Sequence, residues 1–163
     1  YGFVQVAVPS REQVPAYQQL RSDIEQLVGR INGDYGEPGW APVSYLYRTL
    51  PFDEVIALYV AADVMLVTPL RDGMNLVAKE YAACRIEDTG VLVLSEFAGA
   101  AEQLKAALIV NPYDVNSVTA TLEYATDMPV PEQKRRMRRL RREVRRSDVF
   151  GWARDCLAIL EDV

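Results

Sequence analysis

Two carboxylates eight residues apart, Asp72 and Glu80, bracket the stretch of this sequence best suited to chemistry, Leu70-Arg-Asp-Gly-Met-Asn-Leu-Val-Ala-Lys-Glu80. Gly73 follows the first of them and offers no Cβ to obstruct a ligand. A helix opening at about Gly73 would present the unpaired N–H groups of its first turn and the positive end of its dipole, a setting that suits phosphate or sugar oxygens. On such a helix the spacing is a little over two turns, so Asp72, Leu76 and Glu80 share one face, apart from a core face through Met74, Val77, Ala78 and Tyr81. A carboxylate at each end of that face could accept hydrogen bonds from two hydroxyl-bearing rings, with a diphosphate between or beside them. Spacing alone leaves a plainer reading open, in which Asp72 caps the helix and Glu80 is a solvated charge.

The rest of the composition narrows the chemistry. Histidine is absent, which excludes Ser-His-Asp and Cys-His nucleophiles, His-ligated zinc and a histidine general base within this chain. Cys84 and Cys156 lie far apart in helical-looking stretches, so they read as buried free thiols rather than a disulfide or a thiolate metal site. An Asp-x-Asp pair is absent as well. A net charge of -5 disfavours general nucleic-acid affinity but conceals a basic block from Lys134 to Arg146. Its apolar stripe of Met137, Leu140 and Val144 marks a face that packs, and no aromatic residue is interleaved for base stacking; a surface helix is the preferred reading, and no nucleic-acid partner is expected. No apolar run is long enough for a membrane span, and the start, Tyr1-Gly-Phe-Val-Gln-Val, lacks a basic region followed by an apolar core, so the chain reads as soluble and cytoplasmic.

The elements that must position Asp72 and Glu80 alternate along the chain. Phe3–Val8 reads as a strand, and the spacing of Val14, Tyr17, Ile24, Leu27, Val28 and Ile31 as a helix; a Gly/Pro-rich loop over 32–40 and a strand over Val43–Tyr47 follow. Pro51 and Asp53 start a helix with Val55, Leu58, Tyr59 and Ala62 on one face, before a strand over Val64–Thr68. Beyond the helix over 73–84 come a buried strand at Gly90–Leu94, a short helix at Gly99–Leu104, a strand at Leu108–Val110 and a helix capped by Asp114. Short β-branched strands separated by helices predict an α/β, Rossmann-like, doubly wound parallel sheet over residues 1–128. Pro129 and Pro131 open a C-terminal helical extension over 129–163, whose stripe continues loosely through Trp152, Cys156 and Ile159. The chain opens on a strand with no preceding β-α unit and no glycine-rich phosphate loop, the pattern expected of a fragment that lacks the first β-α units of its domain.

The run Val67-Thr-Pro-Leu-Arg-Asp-Gly-Met-Asn-Leu-Val-Ala-Lys-Glu-Tyr81 strongly resembles the donor-site signature of trehalose-6-phosphate synthases, retaining glycosyltransferases built from two Rossmann domains (the GT-B fold). Val8-Pro-Ser-Arg-Glu12, Gly29-Arg-Ile-Asn-Gly33, Leu92-Val-Leu-Ser-Glu-Phe-Ala-Gly-Ala-Ala101 and Val110-Asn-Pro-Tyr-Asp114 extend the resemblance over nearly the whole chain, matching the family's C-terminal third. The resemblance implies that Asp72, placed at the reacting sugar, holds hydroxyls of the donor glucose, assisted by backbone N–H groups of Gly73, Met74 and Asn75. It implies that Leu76 and Val77 meet the diphosphate with their backbones, that Ala78 and Lys79 complete the donor-binding stretch, and that Glu80 accepts hydrogen bonds from the ribose. Leu50 would face the uracil through backbone groups, and Arg11 would reach toward the phosphate of the acceptor, glucose 6-phosphate. The implied reaction moves glucose from UDP-glucose to glucose 6-phosphate with retention, giving trehalose 6-phosphate and UDP. No metal or other cofactor is required, in agreement with the absence of His and of an Asp-x-Asp pair, and the leaving phosphate accepts the acceptor's proton. An N-terminal domain of the same enzyme would be the chain's partner, a homo-oligomer is left open, and the isolated fragment would be inactive. Relatives that glucosylate glycerol 3-phosphate or couple cyclitols share this half, and a non-catalytic nucleotide-sugar-binding module is the reading from outside the enzyme class.

Overall fold

The computed structural model describes residues 1–10, 12–147 and 149–161, with the side chains at 152, 155, 156, 158, 159 and 161 outside that description. The chain divides into two compact units, Tyr1–Phe52 and Asp53–Val163.

In the first unit, β1 (Phe3–Ala7) and β2 (Val43–Tyr47) pair in parallel from Phe3 opposite Val43 to Ala7 opposite Tyr47, and α1 (Pro15–Tyr35) makes the crossover. The helix runs to Tyr35, past the point where the sequence reads as loop. Asn32, the expected loop start, stays helical and spends its side chain on the strand: Nδ2 donates to the Val43 carbonyl and Oδ1 accepts from the Val43 N–H, both at 2.9 Å. Arg21 adds a second tie, with its guanidinium 3.9 Å from the centre of the Tyr47 ring and paired with Glu25.

The second unit carries α2 from Asp53 onward (the helix spans Phe52–Ala61), β3 (Val64–Val67), α3 (Leu76–Cys84), β4 (Val91–Ser95), a 3-10 turn (Gly99–Glu102), β5 (Leu108–Val110), α4 (Val115–Thr126), α5 (Val130–Arg146) and α6 (Val149–Glu161). Its strands lie in the order β3-β4-β5, all parallel. Every residue of β4 is buried, because the pleat sends its side chains alternately to two covered faces. Leu92 and Leu94 join Tyr59, Ala78, Tyr81, Ala82, Met137 and Leu140 on one side, while Val91 and Val93 join Val110, Ala125 and Met128 on the other. The predicted α/β, Rossmann-like parallel class therefore holds, and each large apolar side chain taken out of water contributes roughly 1.5–3 kcal/mol.

Asp114 caps α4 as expected, accepting the Ser117 N–H at 3.0 Å. The stripe of α5 also packs: Met137 and Leu140 are buried in the core shared by α3 and β4, with Val144 half-buried beside it. The continuation through Trp152, Cys156 and Ile159 lies outside the described side chains. Cys84 is half-buried rather than buried. Among the described residues no helix is long and apolar enough to cross a membrane.

Candidate functional site

The segment from β3 to α3 departs from the sequence expectation at its start. The helix begins at Leu76, so Asp72, Gly73, Met74 and Asn75 form a loop and Asp72 stands ahead of the helix rather than on its face. The cause is Asn75, which sits at φ 69°, a left-handed conformation that breaks helical continuity and that asparagine tolerates better than most residues. Asn75, not Asp72, is the cap: its Oδ1 accepts the Ala78 N–H at 3.0 Å. Its Nδ2 turns the other way and donates to Asp72 Oδ2 at 3.1 Å, while the Met74 N–H donates to Asp72 Oδ1, also at 3.1 Å. One side chain thus starts the helix and orients the carboxylate.

A second loop holds this turn from behind. The Asp72 N–H donates to the Phe97 carbonyl (3.2 Å), Gly99 N–H to the Asp72 carbonyl (2.9 Å) and Ala100 N–H to the Met74 carbonyl (2.7 Å), so Asp72 and Ala98 form an isolated parallel bridge. Approach this close requires glycine at 99, since a Cβ there would run into the Gly73 carbonyl. Sequence reasoning missed Gly99 as a supporting residue; its place in Phe97-Ala-Gly-Ala, just after a buried strand, was the available signal.

Glu80 lies one turn into α3, about 6 Å along the axis from Leu76 at 1.5 Å per residue, with its side chain exposed. Its carboxylate is engaged: the Tyr59 hydroxyl donates to Glu80 Oε2 at 3.0 Å. Burial, and then the Glu80 contact, raise the Tyr59 phenol well above its ordinary range, so it stays protonated and donates. Burial, followed by the Glu80 charge, also raises the Cys84 thiol, one helical turn beyond. Tyr59 reads in sequence as one more apolar helix position; a buried tyrosine hydroxyl that must find a partner was the clue.

The other expected residues fall as follows. Ala78 is fully buried with its N–H committed to Asn75, and Lys79 is half-buried. The predicted core face is corrected in part: Ala78 and Tyr81 pack with Ala82, whereas Met74 is exposed because it lies ahead of the helix, and Val77 is exposed although it lies in the first turn of α3. Leu76 is also exposed. Leu50 is buried and belongs to the first unit. Arg11 lies outside the described residues. A recess of about 650 Å³ lined by Glu102, Lys105, Arg139, Arg142 and Arg146 among others includes no residue of 70–80. Among the described residues no cluster of acidic or thiol side chains is placed to hold a metal ion.

Chemically, Asp72 offers a carboxylate whose two oxygens each already take one hydrogen bond, leaving further lone pairs for hydroxyl donors. The first turn of α3 adds N–H groups, and Glu80 a second carboxylate held from one side.

The chain is similar to known proteins in sequence and in fold. The chain is 60% identical over 159 residues to the trehalose-6-phosphate synthase of Mycobacterium avium, covering 98% of this chain and 32% of that protein. It is 58% identical to the Mycobacterium leprae synthase over the same length. It therefore spans about a third of the curated relatives' length. Among solved structures, one from E. coli bound with UDP-2-fluoro glucose matches with a TM-score of 0.94 at 44% identity, covering 99% of this chain and 36% of that one. A Burkholderia xenovorans alpha,alpha-trehalose-phosphate synthase (UDP-forming) in complex with glucose-6-phosphate matches with a TM-score of 0.93 at 43% identity, covering 98% and 35%. With the family model matching residues 2–162, the chain belongs to glycosyltransferase family 20.

Proposed function

We propose that this chain forms the donor side of a retaining glucosyltransferase that moves glucose from UDP-glucose to glucose 6-phosphate, giving trehalose 6-phosphate and UDP. The observation that carries the reading is the Asp72–Asn75 turn, braced by the Gly99 loop and opening directly onto the N-terminus of α3. In this reading Asp72 accepts hydroxyls of the glucose, the Leu76 and Val77 amides face the diphosphate, and Glu80 accepts from the ribose. Leu50 offers backbone groups to the uracil and Arg11 a cation to the acceptor phosphate. The bond from the anomeric carbon to the diphosphate breaks as the bond to the acceptor oxygen forms on the same face, and the departing phosphate takes the acceptor's proton. The chain supplies positioning and charge stabilisation, without a nucleophile or a metal. The remaining wall comes from the N-terminal part of the enzyme, so this chain alone binds donor without turning it over. The relatives described with UDP-2-fluoro glucose and with glucose-6-phosphate support the pair of substrates.

A chimera in which this chain replaces the matching third of the Mycobacterium avium synthase tests the assignment. Release of UDP dependent on glucose 6-phosphate, with trehalose 6-phosphate as product, is expected. Release with glycerol 3-phosphate or a cyclitol instead would keep the donor half and refute the named acceptor.

A further inference from the structure

The geometry points to Tyr59 as a positioning residue for nucleotide binding: its buried hydroxyl fixes Glu80 in the orientation that accepts the ribose hydroxyls of a uridine diphosphate. The inference rests on the proposed role of Glu80 and adds a residue to it. Glu80 is exposed on α3, and a free glutamate there samples many rotamers, whose entropy a ligand must overcome to order it. Tyr59 lowers that cost in advance by holding Oε2 at 3.0 Å, which leaves Oε1 and the remaining lone pairs to face two vicinal hydroxyls.

The phenol can act as a fixed point because everything behind it is fixed. Its ring meets Tyr81 edge-on, with centroids 6.4 Å apart and planes at 80°. Tyr81 is wholly buried and donates its own hydroxyl to the Ala62 carbonyl at 3.1 Å, just past the end of α2. The buried Arg85 guanidinium donates to the carbonyls of Tyr59 and Val60 and, on its other side, to the Thr89 carbonyl and hydroxyl. The last turn of α2 is therefore bound to α3 through Tyr81 and Arg85, and the Tyr59 hydroxyl moves with the helix that carries Glu80. A tyrosine needed only for packing would require a partner for its hydroxyl; it would have no effect on how a ribose is distinguished from its deoxygenated analogue.

That difference is the test. Ligand-detected NMR on the protein compares UDP with 2′,3′-dideoxy-UDP for the parent, Tyr59→Phe, Glu80→Gln and the double variant, with thermal melting as a check on folding. Tyr59→Phe keeps the buried ring, and Glu80→Gln changes an exposed side chain. The parent should prefer UDP by about tenfold, the equivalent of one charge-assisted hydrogen-bond set. Tyr59→Phe should cut that preference to threefold or less while leaving dideoxy-UDP binding unchanged, Glu80→Gln should abolish it, and the double variant should match Glu80→Gln alone. If Tyr59→Phe keeps the parental preference while Glu80→Gln loses it, the positioning role is wrong and the Glu80 assignment stands. If Glu80→Gln keeps the preference, or the parent shows none, the Glu80 assignment fails and the inference with it.

Discussion

Asp72 is oriented by groups that lie within three residues of it and by a loop some 25 residues further on, and only the near set is written locally. Asp-Gly followed by Asn is a turn signal, and the Met74 amide and Asn75 side chain answer it. The brace from Phe97, Gly99 and Ala100 is tertiary, so the sequence carries it only as a glycine in an alanine run. Gly99→Ala places a methyl group against the Gly73 carbonyl. Overpacking of this kind costs about 1–3 kcal/mol, and because the strain falls on the turn that holds Asp72, UDP-glucose affinity should drop by about tenfold or more. Calorimetry and thermal melting read the two effects; a variant that melts lower yet binds like the parent would separate the brace from the site. The Tyr59 contact was illegible for the same reason as Gly99: the pair lies 21 residues apart and is joined only when α2 and α3 pack.

At the scale of elements, strands were the most legible. Val64–Val67, Val91–Ser95 and Leu108–Val110 are short β-branched or leucine runs with no competing periodicity, and each lies within a residue of its expected bounds. The start of α3 was misread by about three residues because a left-handed asparagine leaves no mark on hydrophobic spacing. Helix α5 shows how charge was read correctly in outline and incompletely in detail. Its stripe packs, and part of its basic face is spent within the fold: Arg138 and Arg141 both reach Asp88, at 2.8 and 2.6 Å, and Arg136 donates to the Ala106 carbonyl. These arginines hold the Asp88 carboxyl below its usual range, Arg138 contributing most and Arg141 next. A carboxylate whose folded pKa is lowered stabilises the fold at pH above its unfolded value, and that contribution is lost as pH falls through the folded one. Asp88→Asn should therefore melt below the parent at neutral pH, and the gap should close in acid as the parent's own Asp88 takes up its proton. Melting curves at neutral and acidic pH check this; because asparagine holds the left-handed φ of 62° at this position as readily as aspartate, a gap independent of pH would contradict the charge assignment.

The chain spans about a third of the length of its curated relatives, and its functional claim has the same proportion. Periodicity places residues 70–80 beside a helix N-terminus; kinship with the family 20 glycosyltransferases is what makes UDP-glucose the ligand proposed there. Structure then revises how the two carboxylates are arranged. Asp72 belongs to a braced turn and Glu80 to a helix face, and the two are positioned independently, one by Asn75 and Gly99, the other by Tyr59. Each carboxylate accepting from hydroxyls contributes roughly 1.5–3 kcal/mol, about tenfold or more in affinity apiece. Calorimetric titration of the protein with UDP-glucose, set beside Asp72→Ala combined with Glu80→Ala, tests the account most directly. The prediction is saturable binding by the parent and at least about a hundredfold loss in the double variant, measured below the lowered melting temperature that follows from freeing the Tyr59 hydroxyl and the Asp72 turn. Undiminished binding by that variant would contradict the assignment of the donor site.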